Sequence, residues 1–167
     1  MKTLVLVRHG KSSRSHSGQE EIDRSLTHRG KRDSEHMAEQ FHDLGLQVHA
    51  VISSPAVRAK ASARYFADHA VLPVEVDERL YNAHEKDLMD IVHGLDGSRE
   101  TVVLIGHNPG MSEFLCRLLG HDQLELSSAA VAVINFDVPE WRDITEGRGK
   151  VKWFQNPKTV DEQRWAA

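Results

Sequence analysis

Two stretches of the chain are unbroken apolar runs that stop at polar residues. Leu4 to Val7 ends in Arg8-His9-Gly10, and Thr101 to Ile105 (TVVLI) ends in Gly106-His107-Asn108-Pro109-Gly110. A strand buried on both faces, as in a parallel sheet, reads as such a continuous run. Strands are therefore predicted over 2–8 and 101–105. Shorter β-branched stretches predict strands over 49–53 and 72–76. Residues 129–137 and 149–154 predict two more strands, with 139–148 as a hairpin loop that makes this pair antiparallel at the sheet edge.

Between these strands the spacing changes to a helical period. Met37, Ala38, Phe41 and Leu44 predict a helix that starts after Thr27 as N-cap and stops at Gly45. Ser54 as N-cap and Pro55 as first helical residue open an Ala-rich helix to His69, with Arg58 in its first turn. Asn82 and Glu85 resemble a capping box for a helix whose apolar face is Leu88, Ile91, Val92 and Leu95. Asn108 as N-cap and Pro109 then open a helix with Met111, Phe114, Leu115, Leu118 and Leu119 at i, i+3, i+4, i+7 and i+8, closed by Gly120. Residues 11–25 form a long polar loop, and such loops in compact domains are usually functional or disordered. The tail from Asn156 holds a loop and a short helix.

Alternation of strands and helices predicts an α/β fold, three-layer, with a mostly parallel central sheet flanked by helices. Right-handed crossovers point the carboxyl ends of parallel strands the same way. Arg8, His9, the 54–58 helix start and Gly106-His107 thus fall along one rim, where open α/β sheets bind ligands. The 167 residues contain no linker or repeat and read as a single domain, 1–167.

Composition narrows the chemistry. With 21 Lys and Arg against 25 Asp and Glu, the net charge of −4 provides no domain-wide basic field, so no nucleic-acid partner is expected. No apolar run approaches the ~18 residues of a membrane span, so no membrane partner is expected either. A single cysteine, Cys116, excludes an internal disulfide framework and reads as an inert small residue. With no leader pattern in residues 1–7, the expected location is cytoplasmic. The 11 histidines show no HExxH or Cys/His ligand spacing, so neither a metal nor another cofactor is expected. Two Arg and two His beside helix N-termini are instead an anion site: guanidinium forks match phosphate oxygens, and a neutral imidazole has a lone pair for attack on phosphorus. Lys11, Arg14 and Arg24 in the loop read as a solvated face or as a grip on an acidic or phosphorylated partner.

These residues carry a resemblance. Arg8-His9-Gly10, Leu26-Thr27-x-x-Gly30, Ser53-Ser54-Pro55-x-x-Arg58-Ala59 and Gly106-His107 resemble, in this order along the chain, segments of the histidine phosphatase superfamily, the phosphoglycerate-mutase-like fold. The short chain, Arg-His-Gly-Lys-Ser, Leu80-Tyr81-Asn82-Ala83 and Gly106-His107-Asn108-Pro109 are most similar to its SixA-type protein-phosphohistidine phosphatases, a minimal version without large insertions. The resemblance implies that His9 is the nucleophile, that Arg8, Arg58 and His107 bind phosphate, and that no metal is used. Phytase-like members carry Asp after the second His; here Asn108 stands there. The resemblance instead puts Glu78 near the acid position of the mutase branch, with Asp23 and Glu21 as weaker candidates. The implied function is a metal-independent phosphatase acting on phosphohistidine in proteins. Two alternatives stand beside it: a phosphatase for a small phosphate ester or anhydride, and a non-catalytic phosphate-binding module. Mutase activity is disfavoured, since the lobe that would hold a diphosphorylated sugar acid is missing. Substrate identity and oligomeric state are not fixed by the sequence.

Overall fold

A computed structural model describes residues 1–14 and 16–165. The six strands β1 (Lys2–Arg8), β2 (Ala50–Ser53), β3 (Val74–Val76), β4 (Thr101–Gly106), β5 (Val131–Phe136) and β6 (Lys150–Gln155) form one sheet in the order β3-β2-β4-β1-β5-β6. β3, β2, β4 and β1 are mutually parallel. β5 runs antiparallel to both β1 and β6, so the predicted antiparallel pair does close one edge.

The helices are α1 (His28–His42), α2 (Val57–Ala70), α3 (Glu85–His93), α4 (Gly110–Leu119) and α5 (Pro157–Trp165). Successive strand residues point to opposite faces, and the two cores follow that alternation. Leu4, Leu6, Val102, Leu104 and Ile134 pack with α3 and α4. Val5, Val7, Val103, Ile105 and Val133 pack with α1, α2 and Val160 of α5. Both faces of β1 and β4 are therefore covered, which is why their sequences are unbroken apolar runs. On α2, Ala59, Ala63 and Ala67 recur every four residues and are fully buried, so small side chains let this helix sit close to the sheet.

Three helix starts differ from expectation. α2 begins at Val57, not Pro55. The Ser54 hydroxyl accepts from Ala56 N–H but also bonds His107, and that second partner holds residues 54–56 outside the helix. α4 begins at Gly110 with Pro109 as its cap residue. Asn108 still accepts from the Ser112 amide at 3.2 Å, so its capping function survives although the boundary moves. α3 is capped at His84, whose N–H donates to Asp87 at 2.8 Å, rather than by Asn82 and Glu85. Asn82 has φ 57° and turns the chain into this helix. Thr27 caps α1 as expected, accepting from Gly30 N–H at 3.0 Å. Strand three is shorter than predicted, and the last two residues of the tail, 166 and 167, lie outside the described residues, as does Ser15 of the 11–25 loop. Cys116 is half-buried and bonds the backbone of Leu124 through Sγ.

Candidate active site

The parallel strands deliver their carboxyl ends to one rim. Arg8 is in register with Gly106, and Ser53 with Ile105 and Val76. This brings together the four residues singled out by sequence. The His9 and His107 rings lie 4.9 Å apart between centroids, tilted by 59°. Arg58, in the first turn of α2, is 5% exposed, and its charge depresses the proton affinity of both imidazoles. Arg8 acts on both in the same direction.

The nucleophile candidate is fixed by its own backbone. His9 Nδ1 lies 2.7 Å from Gly10 O. When the ring is neutral, a proton on Nδ1 donates to that carbonyl and leaves the Nε2 lone pair free. Burial, then the Arg58, Arg8 and Arg24 charges, hold the His9 pKa down at about 4, against the partial opposition of the Gly10 bond. His107 is lowered to about 3, first by burial and then by His9 and the same arginines. Both rings are thus neutral at pH 7. The His107 Nε2 is 2.8 Å from Ser54 Oγ, which already accepts from an amide. When the Ser54 hydroxyl donates to Nε2, the His107 hydrogen sits on Nδ1, a donor suited to a phosphate oxygen.

Gly10 sits where a side chain has no room. A Cβ there would lie 2.5 Å from Gly30 O and 2.6 Å from Ser34 Oγ; one on Gly30 would lie 2.1 Å from Lys11 O. The two glycines let the chain after His9 lie directly on the first turn of α1. Gly10 N–H donates to Ser62 Oγ at 3.0 Å, and Ser62 Oγ is 3.0 Å from Ser34 Oγ, all buried. On the other side, Ala129 N–H donates to His9 O, and Arg8 Nη1 and Asn108 Nδ2 both donate to Leu126 O.

Several participants are not apparent from spacing. Arg24, read from sequence as a solvated or partner-gripping loop residue, lies close enough to depress both imidazoles and Arg58. Tyr81 meets the His107 ring edge-on at 5.6 Å and lies close enough to Arg58 to favour its charged form. Arg8, Arg24 and Arg58 each keep a buried Nε–H without a partner, and burial lowers the proton affinity of Arg8 and Arg58. Three guanidiniums with spare donors around two neutral imidazoles suit a multiply charged oxyanion. Glu78 lies on the same rim, exposed in the turn after β3, and Asp23 is exposed in the loop. Among the described residues neither carboxylate hydrogen-bonds the four central residues, whereas Glu21 reaches Arg58 directly. Among the described residues, no three His, Cys, Asp or Glu side chains gather to hold a metal ion, and no helix is long and apolar enough to cross a membrane.

Comparison with known proteins agrees with this geometry. No curated protein matches the sequence. Among solved structures, a candidate phosphohistidine phosphatase SixA from Agrobacterium tumefaciens superposes with TM-score 0.80 at 22% identity, covering 93% of this chain and 98% of the other. The protein histidine phosphatase SixA in complex with tungstate gives 0.79 at 21%, covering 95% and 99%. A mycobacterial glucosyl-3-phosphoglycerate phosphatase gives 0.66 at 18%, covering 90% and 97%. These likenesses establish the phosphoglycerate-mutase-like fold in its compact form, without large insertions. Branch 1 of the histidine phosphatase superfamily matches residues 4–93, more than half of the chain and the part that contributes Arg8, His9 and Arg58. With that match and a second histidine brought beside the first, the chain belongs to the histidine phosphatase superfamily.

Proposed function

We propose that this protein is a metal-independent phosphatase that removes phosphate from phosphohistidine in proteins through a phosphorylated His9. The observation that carries the reading is the buried, neutral His9, tied through Nδ1 to Gly10 O and set against His107 among arginines. His9 Nε2 attacks phosphorus in line, and the bond from phosphorus to the leaving group breaks. Arg8, Arg58 and the His107 donor hold the equatorial oxygens, where charge is spread in the transition state. Water then attacks phosphorus, releasing orthophosphate and regenerating His9.

An imidazole leaving group needs less protonic help than an alkoxide. That suits a site in which Asn108 is engaged by Ser112 and Leu126 and in which the candidate acid, Glu78, sits exposed on the rim. Glu78 is assigned the proton transfer for ester substrates. The SixA structures of similar fold support the phosphohistidine reading, and the glucosyl-3-phosphoglycerate phosphatase supports the small-ester alternative.

The test compares a phosphohistidine protein with small phosphate esters at equal concentration, with EDTA present. Faster cleavage of the phosphohistidine protein is expected; faster ester cleavage selects the alternative, and no turnover of either selects a binding module. An acid-labile, base-stable phosphoenzyme is expected in the wild type and absent in His9→Ala. Glu78→Gln slows hydrolysis of an alkyl phosphate by about 10²-fold or more and changes phosphohistidine cleavage far less.

A further inference from the structure

The 11–25 loop ends in a short antiparallel contact, Ser12 against Leu26, with Ser13 N–H donating to Ser25 O. The turn at Glu21–Asp23 is therefore held at a fixed place beside α2. From it, Glu21 meets Arg58 with two different groups, its main-chain carbonyl and, at longer range, its carboxylate. Arg58 Nη1 donates to Glu21 O at 2.7 Å, and Arg58 Nη2 lies 3.6 Å from Glu21 Oε1. The same carboxylate oxygen accepts from Arg24 Nη2 at 2.6 Å. Arg24 is braced in turn by Nη1 on Ser13 O at 2.9 Å.

A carboxylate between two guanidiniums has the charge and the acceptor geometry of an oxyanion. A phosphoryl group that takes Arg24 Nη2 and Arg58 Nη2 meets donors that already face this carboxylate, whereas Arg58 Nη1 is held by the Glu21 main-chain carbonyl. The Arg58 side chain is 6% exposed and fixed, whereas the Glu21 side chain is 57% exposed and can swing into water.

We infer that Glu21 is a built-in competitor for the phosphoryl group: its carboxylate holds Arg24 Nη2 and pairs at longer range with Arg58 Nη2, gives way when substrate binds, and returns as orthophosphate leaves. Glu21 thereby sets how tightly the pocket retains its product. This rests on the phosphate-pocket reading of the site, but not on its turnover. An exposed ion pair is weak, so the competition is modest and shows in binding rather than in fold stability.

The test is calorimetric titration of the intact protein with inorganic phosphate at pH 7.5. Glu21→Gln and Glu21→Ala are each expected to tighten phosphate binding about three- to ten-fold. In turnover of an aryl phosphate, KM falls and orthophosphate becomes a stronger product inhibitor. Unchanged or weaker phosphate binding in either variant overturns the inference, because a carboxylate that merely props Arg58 and Arg24 in place would weaken binding when lost. Tightened binding in a protein without phosphatase turnover would sink the catalytic reading and leave this one standing. Normal turnover with unchanged phosphate affinity would do the reverse.

Discussion

Ser62→Ala is the most informative single substitution. Ser62 lies one turn beyond Arg58 on α2, 1% exposed, and accepts the Gly10 amide hydrogen at 3.0 Å while pairing with the Ser34 hydroxyl at 3.0 Å. Removing its hydroxyl leaves two buried polar groups, Gly10 N–H and Ser34 O–H, without this partner. An orphaned buried donor costs about 1–3 kcal/mol. The Ser34 hydroxyl can rotate, so the Gly10 amide dominates and the loss is on the order of 1–3 kcal/mol, a sizeable part of the ~5–15 kcal/mol that holds a domain together. The same change frees the amide of Gly10, the residue whose carbonyl faces His9 Nδ1, so phosphoenzyme formation slows by about ten-fold or more. Urea unfolding at pH 7.5 and a single-turnover phosphorylation rate measure the two effects. Ser34→Ala/Ser62→Ala together should lose less than the sum of the single changes, since one orphan has been deleted with its partner. A Ser62→Ala loss below about 0.5 kcal/mol with an unchanged rate would refute the claim that this hydroxyl anchors the nucleophile loop.

Two further predictions follow from the same packing. His9 and His107 are held near pKa 4 and 3 in the folded protein against an ordinary 6.5, so the unfolded chain binds more protons below about pH 6.5. Stability is full above that pH, falls as pH drops toward 4, and flattens once the folded rings protonate. At pH 5, each buried ring costs up to about 2 kcal/mol, and His9→Gln should shrink the difference between urea midpoints at pH 7.5 and pH 5; an identical difference in both proteins counts against buried neutral His9. Gly30→Ala would put a Cβ 2.1 Å from Lys11 O. It should destabilise by about 1–3 kcal/mol despite the better helix propensity of Ala, and a raised thermal midpoint would refute the close contact of α1 with the nucleophile loop.

The sequence by itself determined the layers and the rim. Leu4–Val7 and Val102–Ile105 are each at most 1% exposed, and a strand buried on both faces has no polar position to interrupt its run. Because parallel strands end on one side, Arg8, His9, Arg58 and His107 were readable as neighbours from their places after such runs. Helix boundaries were less legible, because Ser54 and Asn108 carry good capping chemistry in any context. Which group the Ser54 hydroxyl serves depends on His107, 53 residues away.

Only the tertiary structure decided what the polar loop does. Residues 11–25 have no periodicity, since period reports burial against a regular neighbour and this loop packs by single contacts. Folded back through the Ser12–Leu26 pairing, it carries Arg24, which read as a solvated or partner-gripping residue, and Glu21, a weaker acid candidate, onto Arg58. Ser62 and Tyr81 were hidden for the same reason. Their roles are hydrogen bonds and ring contacts across 52 and 26 residues of chain, and no local pattern of apolar and polar positions records a partner so distant.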